Sequence, residues 1–145
     1  MRRAVALLFA VLAIAAPAHA RDAVERLELS IREVTTDGRW VEGDVSGVYR
    51  FVVVDGADGR TARLHVQWLA TPTGFPTGLV ASAEILEISE LKVDVADIEV
   101  DGRDDTRFVV RFEAIDPDGH GATPLELVAT SPGRYSLLKS RRDRP

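Results

Sequence analysis

The chain has 145 residues, a formal net charge of −5 and no cysteine. The absence of cysteine excludes disulfides, thiolate catalysis, cysteine-ligated metals and a lipid-modified cysteine. The excess of acidic residues argues against nucleic acid and anionic membrane surfaces as partners, because both attract clustered lysine and arginine.

The N-terminus has the pattern of a cleavable secretory signal. Two arginines precede an uncharged apolar run, residues 4–16, and residues 18–20 read Ala-His-Ala, the small-residue form that signal peptidase reads. The run is shorter than the roughly 20 residues that span a bilayer, which favours a signal helix over an anchor. We therefore expect cleavage after residue 20, a periplasmic or secreted product, and no membrane insertion after cleavage. The signal holds two of the 18 basic residues and none of the 23 acidic ones, so the mature net charge is −7.

The first half of the mature chain predicts three strands. Leucine and isoleucine alternate with polar residues over 27–31, which predicts a strand that stops at the turn Asp37-Gly38. Residues 45–54 are rich in valine and aromatic residues, and residues 61–70 alternate between apolar and polar side chains. The turn between them, residues 55–60, contains aspartates and glycines, so these two strands are predicted to form a hairpin.

The second half continues the pattern after one ambiguous segment, residues 79–91. Alanine, glutamate and leucine favour a helix there, whereas isoleucines favour a strand; we expect extended structure, with one short helix as the alternative. A second hairpin is predicted from residues 97–101 and 106–115. Residues 125–129 and 134–138 flank a Ser-Pro-Gly turn and predict a final pair of short strands.

Many short strands separated by turns predict an all-β protein, an antiparallel β-sandwich. In strand count and spacing it resembles immunoglobulin-like modules, although the Cys-Trp-Cys signature of true members is absent. Residues 21–138 are predicted to form a single domain. The basic tail, residues 139–145, is expected to be a solvated end, with a basic anchor on acidic envelope polymers as the alternative.

Acidic turns are the candidate metal sites, because calcium prefers six to eight oxygen ligands and carboxylates one to three residues apart supply several of them. Three turns qualify: Asp55 with Asp58, Asp101 with Asp104 and Asp105, and Asp116 with Asp118. The trio Asp101, Asp104 and Asp105 is the preferred calcium site. The competing interpretation is structural, because aspartate and glycine are also the residues that hairpin turns require.

Two aromatic residues are candidate binding residues. Phe75 lies in the irregular stretch 71–78, where an exposed phenylalanine on a proline-stiffened loop would anchor a protein partner. Trp40 follows the turn Asp37-Gly38 and offers a ring for stacking on a sugar if it is exposed. For both residues the alternative is burial in the core, and the strand pattern already directs Trp68 inward.

The leading functional hypothesis is a non-enzymatic binding module that engages an envelope or secreted protein through a sheet edge or through the Phe75 loop. This hypothesis rests on the absence of catalytic sequence motifs, since the chain has no G-x-S-x-G elbow, H-E-x-x-H motif or phosphate-binding glycine loop. His65 is expected on the polar face of a strand and His120 in a loop. Two alternatives remain: a calcium-dependent or carbohydrate-binding module that uses the acidic turns, and a small hydrolase with paired carboxylates or His65.

Overall fold

The computed structural model of the chain describes residues 30–72, 78–101 and 107–140. The elements in chain order are β1 Ile31–Glu42, β2 Val45–Asp55, β3 Ala62–Ala70, β4 Gly78–Glu84, α1 Leu86–Leu91, β5 Asp94–Asp101, β6 Phe108–Ile115, β7 Ala122–Ala129 and β8 Tyr135–Lys139. The predicted signal, residues 1–20, lies outside the described ranges. No helix within those ranges is long and apolar enough to cross a membrane.

The strands form two four-stranded antiparallel sheets. Each sheet contains consecutive strands in the order of the sequence, β1-β2-β3-β4 in sheet A and β5-β6-β7-β8 in sheet B. One buried cluster draws side chains from both sheets, so the sheets pack as a sandwich and the predicted all-β class is confirmed. The strand order differs from that of immunoglobulin domains, whose Greek-key connections exchange strands between the sheets. The resemblance in strand count and spacing does not extend to this topology.

The predicted hairpins are present. β2 pairs with β3, β5 with β6 and β7 with β8, all antiparallel. Gly59 in the β2–β3 turn and Gly119 in the β6–β7 turn have φ values of 64° and 73°, the left-handed conformation that glycine adopts without steric cost. The guanidinium of Arg60 donates a hydrogen bond of 2.8 Å to the carbonyl of Pro117, so these two turns lie at the same end of the sandwich.

Alternating side chains fill the space between the sheets. In β3 the inward residues Leu64, Val66 and Trp68 are fully buried, as the alternation predicts. The ring of Tyr49 on β2 stacks on Phe108 of β6 with centroids 5.1 Å apart, and the rings of Tyr49 and Trp68 make an edge-type contact with centroids 6.2 Å apart. The contact between Tyr49 and Phe108 joins sheet A to sheet B within the core.

The ambiguous segment 79–91 contains a strand and a helix, so the expectation of extended structure is correct only for its first part. β4 ends at Glu84 and α1 begins at Leu86. Ile85 and Ile88 are both fully buried, because a spacing of three residues places them on one side of a helical turn. The helix therefore covers the core where the chain crosses from sheet A to sheet B, and Lys92 ends it in the left-handed conformation.

Two strand boundaries correct the sequence prediction. β1 continues through Asp37-Gly38 to Glu42, because a register shift between Asp37 and Trp40 accommodates the turn residues within the strand. The carboxylate of Asp37 accepts a 2.7 Å hydrogen bond from the amide of Gly38, which stabilises this irregularity. At the other end, β8 includes Lys139, which the sequence assigned to the tail; residues 141–145 lie outside the described ranges.

Candidate functional site

Trp40, one of the two predicted aromatic binding residues, is part of the core. Only 2% of its surface is exposed, and its indole nitrogen donates a hydrogen bond of 3.1 Å to the carbonyl of Val48. The ring lies against Gly47 on β2, where a β-carbon would come within 2.6 Å of Trp40 Cζ2. No ring face is open to a sugar, and the alternative interpretation of Trp40 as a core residue agrees with this burial.

Of the other predicted site residues, the structure describes only Asp101. Phe75, Asp104 and Asp105 lie outside the described residues. Asp101 ends β5, and its carboxylate is 4.0 Å from the guanidinium of Arg111. Within residues 30–72, 78–101 and 107–140, no three histidine, aspartate or glutamate side chains converge on a point that would hold a metal ion.

In the two described acidic turns, Asp58 and Asp116 bond to their own loops, whereas Asp55 accepts a hydrogen bond of 2.8 Å from Arg32 on β1. Asp58 Oδ1 accepts hydrogen bonds from the amides of Arg60 and Thr61 and from the Thr61 hydroxyl. These bonds, the one from the Arg60 amide foremost, lower the pKa of Asp58. Asp116 Oδ1 accepts a 3.0 Å bond from the amide of Asp118. This geometry is that of aspartate as a turn former, the structural interpretation of the acidic pattern.

His65 belongs to a polar cluster that fastens α1 to sheet A. It lies opposite Glu84 in the β3–β4 register, and burial lowers the pKa of its imidazole, which favours the neutral form at pH 7. Arg63 donates two hydrogen bonds of 2.9 Å to the Glu84 carboxylate, and the hydroxyl of Ser89 on α1 donates a third of 2.7 Å. These bonds, first that from Arg63, lower the pKa of Glu84 to about 2. Glu84 is therefore an ionised link between strand and helix.

The edge strands of the two sheets differ in how they are protected from pairing with another chain. Exposed edges in natural proteins usually carry charges, bulges or few residues, because their unpaired backbone groups invite another strand. β1 carries five charged residues and two register shifts. β5 carries four acidic residues and one register shift, and β8 is only five residues long.

β4 is the least protected of these four edges. From Gly78 to Ala83 it contains no charged residue, and Leu79 and Val80 are 57% and 48% exposed. Its one irregularity is a register shift at Val80, where Trp68 pairs with Ala81 and Leu69 with Leu79. The candidate site is therefore the open edge of β4.

The sequence predicts a sheet edge as a binding surface but does not identify which strand forms it. The uncharged run from Gly78 to Ala83 was visible in the sequence, yet only the sheet order shows that this run forms an edge. Comparison with protein-family models, curated proteins and solved structures finds no match for this chain.

Proposed function

We propose that this protein is an exported, non-enzymatic binding module that accepts an extended segment of an envelope or secreted protein at the β4 edge. The observation that carries the proposal is the uncharged edge from Gly78 to Ala83 with exposed Leu79 and Val80. An added strand satisfies the outward backbone groups of such an edge by main-chain hydrogen bonds. The secretory signal predicted at residues 1–20 supports an extracytoplasmic partner.

The chemistry of the edge defines the segment that it would accept. Since side chains on neighbouring strands pair face to face, Leu79 and Val80 favour a segment with apolar residues where it meets them. β4 carries no charge before Glu84, whose carboxylate is already bonded to Arg63. Affinity would therefore come from backbone hydrogen bonds and apolar contact, with little dependence on salt. In the sequence, Phe75 precedes β4 by three residues, which makes its loop a second contact for the same partner.

Site-specific photo-cross-linking in the native envelope tests the proposal. A photoreactive residue replaces Val80 on β4 in one variant and Val41 on β1 in a matched control, because both are exposed valines on edge strands of sheet A. We expect position 80 to capture one reproducible protein and position 41 to capture none. Equal capture at both positions, or no capture at position 80 under several growth conditions, would contradict the proposal.

A charged substitution on β4 tests independently whether the partner binds at this edge. Val80→Lys places a cation on the strand, the device by which natural edges avoid strand addition. Capture of the partner by a probe at Leu79 should fall at least about tenfold in this variant, since a buried unpaired charge costs more than about 1.4 kcal/mol. Val41→Lys should leave the capture unchanged. A thermal melt of each variant shows that the fold is intact.

A further inference from the structure

A cavity of about 370 Å³ opens at one end of the sandwich. Its apolar lining consists of Leu91 at the end of α1, Val93 before β5, Ala114 on β6 and Leu125 on β7. Ala114 and Leu125 are 5% and 7% exposed, so the floor of the cavity is continuous with the core. Its volume lies in the range, roughly 300–1,000 Å³, that small-molecule sites occupy.

The cavity results from a change in side-chain size along the inner face of β6. Phe108, Val110 and Phe112 fill the centre of the core, whereas Ala114 is the next inward residue and is much smaller. Its cross-strand neighbour on β7 is Thr123, also a small residue. The helix α1 packs Ile88 into the core, and its last residue, Leu91, borders the cavity.

Two charged groups lie at opposite corners of the cavity. In the strand register, Lys139 on β8 lies opposite Leu125 on β7, which lies opposite Phe112 on β6. Asp116 directly follows the end of β6. Asp116 lies four residues beyond Phe112 along the chain, and Lys139 lies two strand spacings across the sheet from Phe112. The α-carbons of Asp116 and Lys139 are therefore roughly 16 Å apart. Asp116 Oδ1 already accepts the amide of Asp118. Lys139 makes no ion pair with any residue of the described ranges.

We infer that this cavity binds a small single-chain amphiphile with an anionic head group. The ammonium group of Lys139 would pair with the head group at the solvent-facing corner, and Thr123 lines the same face as a hydroxyl donor. The apolar chain would lie over Leu125 and Ala114 toward Leu91, where it removes its own surface and theirs from water. This site is independent of the β4 edge, so either one can fail without the other.

Binding of eight-carbon probes to the mature protein tests the inference by methyl and amide NMR shifts. Octanoate and octyl phosphate present the two common anionic head groups, and octanol and octylammonium serve as neutral and cationic controls. We expect the anionic probes to shift the methyl signals of Leu125, Ala114 and Leu91 and to bind at least about fivefold more tightly than octylammonium, the ratio that about 1 kcal/mol of charge pairing gives. Preference for octanoate over octyl phosphate, or the reverse, identifies the head group.

Two variants separate the head-group contact from the chain contact. Lys139→Met should weaken the anionic probes about fivefold and leave octanol unchanged, while Arg134→Met, the same charge change just before β8, should alter neither. Thr123→Leu fills the cavity at an exposed position and should weaken every probe. The inference is overturned if millimolar octanoate shifts no cavity methyl, if octylammonium binds equally well, or if Lys139→Met has no effect on octanoate.

Discussion

Arg63 on β3 donates two parallel hydrogen bonds, each 2.9 Å, to the carboxylate of Glu84 at the end of β4. The same carboxylate accepts the hydroxyl of Ser89, so one acidic residue joins β3, β4 and α1. Arg63 is half exposed, and solvent therefore screens this ion pair. The bond from Ser89 connects this pair to the helix that packs Ile88 into the core.

Glu84→Gln should lower the free energy of unfolding at pH 7 by about 1 kcal/mol, the value of a partly exposed bidentate pair. The pKa of Glu84 falls from its ordinary value of 4.5 to about 2 in the folded protein. Its contribution is therefore complete above pH 4.5 and is lost as the pH falls toward 2. Urea unfolding at several pH values should show the difference between wild type and variant shrinking over that interval. Exposed Glu90→Gln on the same helix is the control; an equal pH-dependent loss in that variant would refute the assignment.

Gly47→Ala should be among the most destabilising single substitutions, at about 3 kcal/mol or more, because overpacking a closed site forces the backbone apart. A β-carbon at position 47 would collide with the carbonyl of Leu69 and come within 2.6 Å of the Trp40 ring. Gly121→Ala is the matched control, since a β-carbon there has no neighbour within 4 Å. Urea unfolding followed by tryptophan fluorescence should give a clearly lower midpoint for Gly47→Ala than for Gly121→Ala. Similar midpoints would contradict the close packing of Trp40 against Gly47.

The two tyrosines of the chain should respond differently to loss of their hydroxyls. Tyr49 is fully buried, and its hydroxyl donates a hydrogen bond of 2.8 Å to the carbonyl of Thr130. Tyr49→Phe should therefore lower the free energy of unfolding by about 1 kcal/mol. The hydroxyl of Tyr135 donates to the exposed carboxylate of Glu87, which water can solvate instead, and Tyr135→Phe should cost less than half as much. Thermal melts of both variants measure the ranking, and the reverse order would contradict it.

The predicted export signal has a direct chemical test. The exported protein should begin at Arg21, because Ala18-His19-Ala20 is the small-residue pattern before the cleaved bond. Ala20→Leu should block that cleavage and leave the precursor in the membrane fraction. Intact-mass measurement identifies the N-terminus of the exported protein and shows whether Ala20→Leu remains uncleaved. A mature N-terminus at another residue would contradict the predicted boundary of the signal.

The hairpins were predictable because each depends on residues close together in the sequence. The turn containing Gly59 and the alternation from Ala62 to Ala70 define β2, β3 and their pairing without reference to the rest of the chain. The helix after β4 was not predictable with the same assurance. Ile85 and Ile88 fit either secondary structure, and the burial that decides between them comes from the core that the two sheets form together.

Non-local contacts also explain what the sequence left open about the site. The burial of Trp40 depends on Gly47, which faces it only because β1 pairs with β2 in this register. The exposure of Leu79 depends on β4 being the last strand of sheet A among the residues that the structure describes. Strand order is a property of the whole fold, so the open edge appears only once the sheets are assembled.

Amide hydrogen exchange on the cross-linked or co-purified complex shows whether a partner strand pairs with β4, because such a strand must protect the outward amides of β4. We expect slower exchange on binding within Gly78–Glu84 and unchanged exchange in the other three edges, Ile31–Glu42, Asp94–Asp101 and Tyr135–Lys139. Protection confined to one of those three edges, with β4 exchanging as it does in the free protein, would contradict the proposed binding at β4.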